Sequence, residues 1–252
     1  MFFKILQVIS IFLISTNISF AAPLKPKNFT EAKKIVYNIF SENPETLYCG
    51  CSYNNNHKID HKSCSMTPTQ NLERAGRTEI EHMAPMNNVT AQFKCGREAL
   101  CTDSKGKKFK GRKCCQRISP KYRAIESELY NLWPSVGSTN QARGSYRFGE
   151  FNSVSNNDIS SFDGCPIRIN RNDKIVEPRD EAKGIVARAN LFMETKHNIK
   201  LSKSQRQLLN AWNAKFPPDA WEKKWAQKIA GIEGYENPYI TQRKIKFDEK
   251  EK

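Results

Sequence analysis

The run Thr78-Glu79-Ile80-Glu81-His82-Met83-Ala84-Pro85 sets two carboxylates and an imidazole almost side by side. An imidazole titrates near neutrality and can take a proton from water. Downstream, Glu126-Ser127-Glu128-Leu129-Tyr130-Asn131 leads through Leu132-Trp133-Pro134 into a turn that carries Gly137, Asn140 and Arg143. A hard cation such as Mg²⁺ takes oxygen ligands and keeps several waters. One carboxylate from the first stretch and one amide oxygen from the second would satisfy it. Plainer roles compete: Glu126 and Glu128 as solvated helix positions, Asn131 as a helix C-cap. The other histidines offer less, since His57 and His61 lie in a polar loop and His197 suits a helix end, where a cation meets the dipole.

These groups need elements to hold them. Residues 78–84 read as a short strand. Neighbours on a strand point to opposite faces, so Glu81 and His82 can share a substrate only if the strand ends or bulges there. Otherwise Glu79 supplies the carboxylate. A helix is expected from a Thr30 cap, with Ala32, Ile35, Val36, Ile39 and Phe40 on one face. A second runs from Pro120 towards Asn131, stopped by Pro134. Residues 90–118 look irregular, and Pro166–Asn170 could be a strand. The last third is helical, with stripes at Ile185, Ala189, Phe192 and Met193, at Leu208, Leu209 and Trp212, and at Trp221, Trp225, Ile229 and Ile232. Such stripes read as core.

The first stretch stands apart. Lys4 precedes an apolar run ending at Ser19-Phe20-Ala21, the pattern of a secretory signal cleaved after Ala21 or Ala22. No later run is apolar enough to span a bilayer, and no linker or repeat divides the rest of the chain. The eight cysteines, Cys49 to Cys165, all lie beyond the signal. An even count in an exported chain reads as disulfides, with the pairing left open. Zinc held by Cys49, Cys51, His57, His61 and Cys64 is the rival. The formal net charge is +15, and Lys105, Lys107, Lys108, Lys110, Arg112 and Lys113 crowd one loop between cysteines. Such a loop favours a phosphate backbone without reading sequence, though a solvated face or an anionic surface would also account for it.

The motifs resemble those of the endonuclease I family, bacterial periplasmic and secreted nucleases of the ββα-metal (His-Me finger) class. The resemblance rests on Glu-Ile-Glu-His-x-x-Pro at 79–85, Lys-Gly-Arg-Lys-Cys at 110–114 and Glu-Ser-Glu-Leu-Tyr-Asn-Leu-x-Pro at 126–134. Val136-Gly137 with Asn140 and Arg143, Lys183-Gly184-x-x-Ala187-Arg188 and Asn237-Pro238-Tyr239 continue it. It implies His82 as general base, Glu81 and Asn131 as ligands of Mg²⁺ or another divalent cation, and Arg112 as stabiliser of the pentacovalent phosphate. Asn140, Arg143, Lys110 and Lys113 would bind substrate or support the site, and Glu79 is the reserve metal ligand. Ile80, Tyr130, Ala142 and Tyr235-Glu236 depart from the family's usual residues, and none is a proposed catalytic group.

The expectation is a single, mostly helical α+β domain over 22–243 with a small ββα-metal core and disulfide staples. A signal peptide (1–21) lies ahead of it and a charged tail (244–252) behind. The chain would be a monomeric periplasmic or secreted endonuclease, acting on DNA and also RNA without sequence preference and leaving 5′-phosphate ends. A non-catalytic polyanion binder and an exported lipid phosphodiesterase are the rivals. The first leaves the Glu81-His82/Asn131 combination unused, and the second needs a lipid-facing apolar surface that the sequence does not show.

Overall fold

The computed structural model describes residues 25–151 and 159–241. The expected signal peptide and charged tail lie outside the described residues. Between them, helices and small sheets make an α+β fold, about half of it helical.

Helix α1 (Phe29–Phe40) is amphipathic and buries Ala32, Val36, Ile39 and Phe40. Its cap is Asn28, which accepts from the Glu31 N–H. The expected cap, Thr30, lies inside the helix. The chain then passes through a cysteine-rich loop and α2 (Leu72–Ala75) to β1 (Thr78–His82). Three short helices come next, α3 (Met86–Thr90), α4 (Lys94–Arg97) and α5 (Arg112–Ile118). Between α4 and α5 a hairpin joins β2 (Cys101–Thr102) to β3 (Lys108–Phe109). Helix α6 (Pro120–Glu126) starts on a Ser119 cap with proline in its first turn, where a missing N–H costs nothing. It stops at Glu126, short of the expected Asn131. A 3₁₀ turn, Leu129–Asn131, separates it from β4 (Leu132–Val136).

Strands β1 and β4 pair antiparallel, from Thr78 opposite Val136 to His82 opposite Leu132. Helix α7 (Gly137–Arg143) comes directly after β4 and packs on both strands. This is the expected ββα unit. Gly137 permits the close packing: a Cβ there would lie 2.6 Å from the Arg74 carbonyl oxygen.

Strands β5 (Arg147–Phe148), β6 (Ile159–Phe162), β7 (Cys165–Asn170) and β8 (Ile175–Glu177) form a second sheet in the order β5-β8-β7-β6. The C-terminal part is helical: α8 (Asp180–His197), α9 (Lys203–Lys215), α10 (Ala220–Glu233) and α11 (Pro238–Thr241). Helix α8 carries more than the expected apolar stripe, because every residue from Ala182 to Met193 is buried. Its polar members are compensated: Arg188 pairs with Glu222 of α10 at 2.6 Å (Nε to Oε1), and Lys183 with Glu177 at 2.9 Å. Periodicity registers hydropathy, and these partners come from distant sequence.

All eight cysteines form disulfides: Cys49–Cys165, Cys51–Cys64, Cys95–Cys115 and Cys101–Cys114. The zinc reading falls, since its three thiolates are consumed. The first bond ties the loop before β1 to the second sheet across 116 residues. The last two clamp both ends of the basic loop.

Candidate active site

A cleft of about 860 Å³ is lined by β1 together with residues from the start of α1 and from α7. Thr78, Glu79, Ile80, Glu81 and His82 all line it. That answers the difficulty of strand alternation. His82 is the last residue of the strand, so the alternation of faces ends there and both Glu81 and His82 can border the cleft.

His82 is 7 % exposed. Its Nε2 lies 2.8 Å from the backbone carbonyl of Glu126. A carbonyl only accepts, so Nε2 carries the proton and Nδ1 keeps its lone pair. The Phe29 ring rests on the imidazole at 4.5 Å between centroids. Burial, with Arg112 and Arg143 nearby, pushes the pKa of His82 down to about 3. It is therefore neutral at ordinary pH, the form that can accept a proton.

Glu81 is buried slightly more deeply. Its Oε1 accepts from the Tyr48 hydroxyl at 2.8 Å and lies 3.0 Å from Nη1 of Arg143. Burial still raises its pKa, the Arg143 charge working against that shift. Glu79 faces the same way one strand repeat earlier. It is gripped by the Arg74 guanidinium, touched by Arg77 at 3.5 Å, and accepts from the Asn140 amide at 3.3 Å.

Arg143 is 1 % exposed. Besides Glu81 it donates to the carbonyls of His82 (3.2 Å) and Met83 (2.7 Å). Although it borders the cleft, its place is behind the strand end, holding Glu81 and His82 in position.

Asn131 and Asn140 divide differently from the expectation. Asn131 is fully buried, and its Oδ1 accepts from the Ala84 N–H at 2.6 Å while its Nδ2 donates to the Ala84 carbonyl at 3.2 Å. It buckles the chain after β1 to the turn before β4 and does not line the cleft. Asn140, on α7, does line it, beside Glu79.

Arg112 begins α5 and borders the cleft from the stapled loop. Its Nε donates to the Glu126 carboxylate at 2.6 Å. Gln116 holds both oxygens of that carboxylate, at 2.7 and 3.0 Å. Neither Nη group of Arg112 has a hydrogen-bond partner among the described residues. Lys110 and Lys113 are exposed and stand outside the cleft lining. Phe29, Tyr48 and the two functions of Glu126 had no sequence signal, because each acts through a contact across the fold.

The donor set suits a hard cation. The carboxylates and amide oxygen facing the cleft are oxygen donors, and Glu81 is a buried acid that its neighbours under-compensate. Among the described residues no cluster of three or more His, Cys, Asp or Glu could cage a metal by itself, so water or phosphate oxygens would complete the shell.

A family model for Endonuclease I matches residues 21–244. An Endonuclease-1 from Buchnera aphidicola subsp. Acyrthosiphon pisum (strain APS) is 33 % identical over 217 residues, covering 85 % of this chain and 80 % of that protein. A periplasmic deoxyribonuclease from Aeromonas hydrophila is 28 % identical over 221 residues, 86 % of each chain. An extracellular deoxyribonuclease from the same organism is 29 % identical over 221 residues, 86 % of this chain and 89 % of that one. With the ββα unit, the buried Glu-His pair and the stapled arginine all in place, the chain belongs to the endonuclease I family.

Proposed function

We propose that this protein is an exported endonuclease, acting as a monomer, that uses a divalent cation to hydrolyse phosphodiester bonds of DNA, and of RNA, without sequence preference. The observation that carries the reading is the cleft itself. A neutral imidazole with a free Nδ1, a buried carboxylate and an unpaired guanidinium edge all border it. The names of the relatives support DNA as substrate and a periplasmic or extracellular location.

His82 takes the proton of the attacking water at Nδ1, while the Glu126 carbonyl keeps the proton on Nε2. An anionic phosphate in the cleft favours the imidazolium and so opposes the depression of its pKa. Glu81 and Asn140 would hold the cation, with Glu79 in reserve. Asn140 replaces Asn131 in this role because it faces the cleft, whereas the Asn131 amide is spent on Ala84. Once bound, Mg²⁺ would offset charge on the phosphoryl and leaving oxygens. Arg112 meets the phosphate with its free Nη edge, a planar fork that stays charged. Family resemblance supports cleavage on the side that leaves 5′-phosphates.

Plasmid nicking with and without EDTA tests the reading, with end-labelling to identify the termini. Nicking that needs Mg²⁺ and is lost in His82→Ala is expected. An inactive wild-type protein that still binds DNA would leave a polyanion binder instead.

A further inference from the structure

A second groove, of about 630 Å³, opens between the turn after α3, helix α4, the start of α6 and the C-terminal end of α8. Its lining includes Lys94, Arg97, Lys121, His197 and Lys200, and no carboxylate. His197 is already engaged, its Nε2 lying 2.7 Å from the buried Glu128 carboxylate, so the charge rests on Lys94, Arg97, Lys121 and Lys200, and little offsets it. Lys94 lies 3.6 Å from Glu98, but both side chains are largely exposed and such a pair is worth little. Lys121 and Lys200 make no ion pair among the described residues. Like charges gathered without counter-charge repel one another and attract a polyanion.

The groove is built firmly. Gln92 clasps the backbone of Lys200, its Nε2 donating to the carbonyl at 3.2 Å and its Oε1 accepting from the N–H at 2.8 Å. Cys95–Cys115 bolts α4 to α5, the helix that carries Arg112. The groove is thus referenced to the catalytic arginine. A smaller cavity shares Gln92, Ile199 and Lys200 with the groove, and Pro85 and Arg143 with the cleft.

We propose that this groove is an exosite for the phosphate backbone of a nucleic-acid duplex whose scissile phosphate lies in the catalytic cleft. The proposal rests on the nuclease reading, and it makes substrate length matter. A duplex that only fills the cleft gains nothing from the groove. A longer one is held at two places and presented in a fixed direction.

The test is the triple variant Lys94→Gln, Lys121→Gln, Lys200→Gln, set against the charge-matched Lys62→Gln, Lys174→Gln, Lys223→Gln. All six are exposed. Binding is read by fluorescence anisotropy in EDTA, on a long duplex and on one of about 6 base pairs, roughly 20 Å at the duplex rise. The groove variant should bind the long duplex roughly tenfold or more weakly. Its salt slope should fall by about 2 to 3, near 0.9 per lost phosphate contact. Binding of the short duplex should hold, and the matched control should behave as wild type. Equal weakening on both lengths, equal weakening in the control, or no change on the long duplex would overturn the exosite. So would loss of binding to phosphatidylglycerol vesicles with long-duplex binding intact. Failure of the nuclease reading looks different, as absent cleavage with length-dependent binding preserved.

Discussion

The two asparagines give the sharpest test, because the structure buries one against Ala84 and turns the other to the cleft, so the proposed roles differ. Asn131→Ala removes an amide that satisfies both the N–H and the carbonyl of Ala84 in a fully buried place. Each buried group left unpaired costs about 1–3 kcal/mol, so roughly 2–6 kcal/mol of stability should go. For a domain of this size that lowers Tm by about 4–24 °C, at roughly 2–4 °C per kcal/mol. Asn140→Ala removes one bond of 3.3 Å to a carboxylate that Arg74 already grips. Its stability should change by less than about 1 kcal/mol. The activity pattern should run the other way. Asn140→Ala should need far more Mg²⁺ for half-maximal nicking, with Tm nearly unchanged. Asn131→Ala, assayed well below its own Tm, should keep a Mg²⁺ requirement close to wild type. Melting by circular dichroism and nicking across a Mg²⁺ titration read both axes. If Asn131→Ala shifts the Mg²⁺ titration at an unchanged Tm while Asn140→Ala shifts nothing, the assignment is reversed and the reasoning from burial is refuted.

The same geometry sets other outcomes. His82→Ala should cut the cleavage rate by about 10²–10⁴, with DNA affinity within a few-fold; equal turnover would remove His82 from the mechanism. In the rate–pH profile, His82, with its pKa near 3, should contribute no acid limb near 6.5. Glu81, whose pKa burial raises, takes up protons in competition with the cation as pH falls, so any acid limb should move to lower pH when Mg²⁺ is raised; a limb fixed near 6.5 at all Mg²⁺ levels would contradict this. Glu126→Gln weakens the charged clamp on Arg112 yet spares the backbone carbonyl that holds His82, so kcat should drop with KM and the pH profile little changed; a shifted profile would mean that the carboxylate also tunes the base. Mild reduction at low temperature should lower nicking before circular dichroism shows loss of fold, because Cys95–Cys115 and Cys101–Cys114 fix the loop that carries Arg112; activity lasting until the fold is lost would leave the bonds a purely stabilising role.

Much of this protein is legible in its residues. Hydrophobic spacing marks α1 and the C-terminal helices, since burial needs a face and a face needs a period. The Glu-Ile-Glu-His run marks β1, and the even cysteine count marks a stapled, exported domain. Motif order points to the family and to His82, Glu81 and Arg112. What the tertiary structure decided is which groups meet. Disulfide pairing depends on where distant loops come together, and the sequence allows every combination. Two asparagines near one turn are equivalent as letters, yet Asn131 is fully buried against Ala84 and Asn140 faces the cleft. Arg143 reads equally as a phosphate contact or a support, and only the fold shows it buried with its guanidinium 3.0 Å from Glu81. Glu126 shows the limit most clearly. Its carbonyl orients His82 and its carboxylate orients Arg112, and both effects depend on through-space distances that one-dimensional order does not encode.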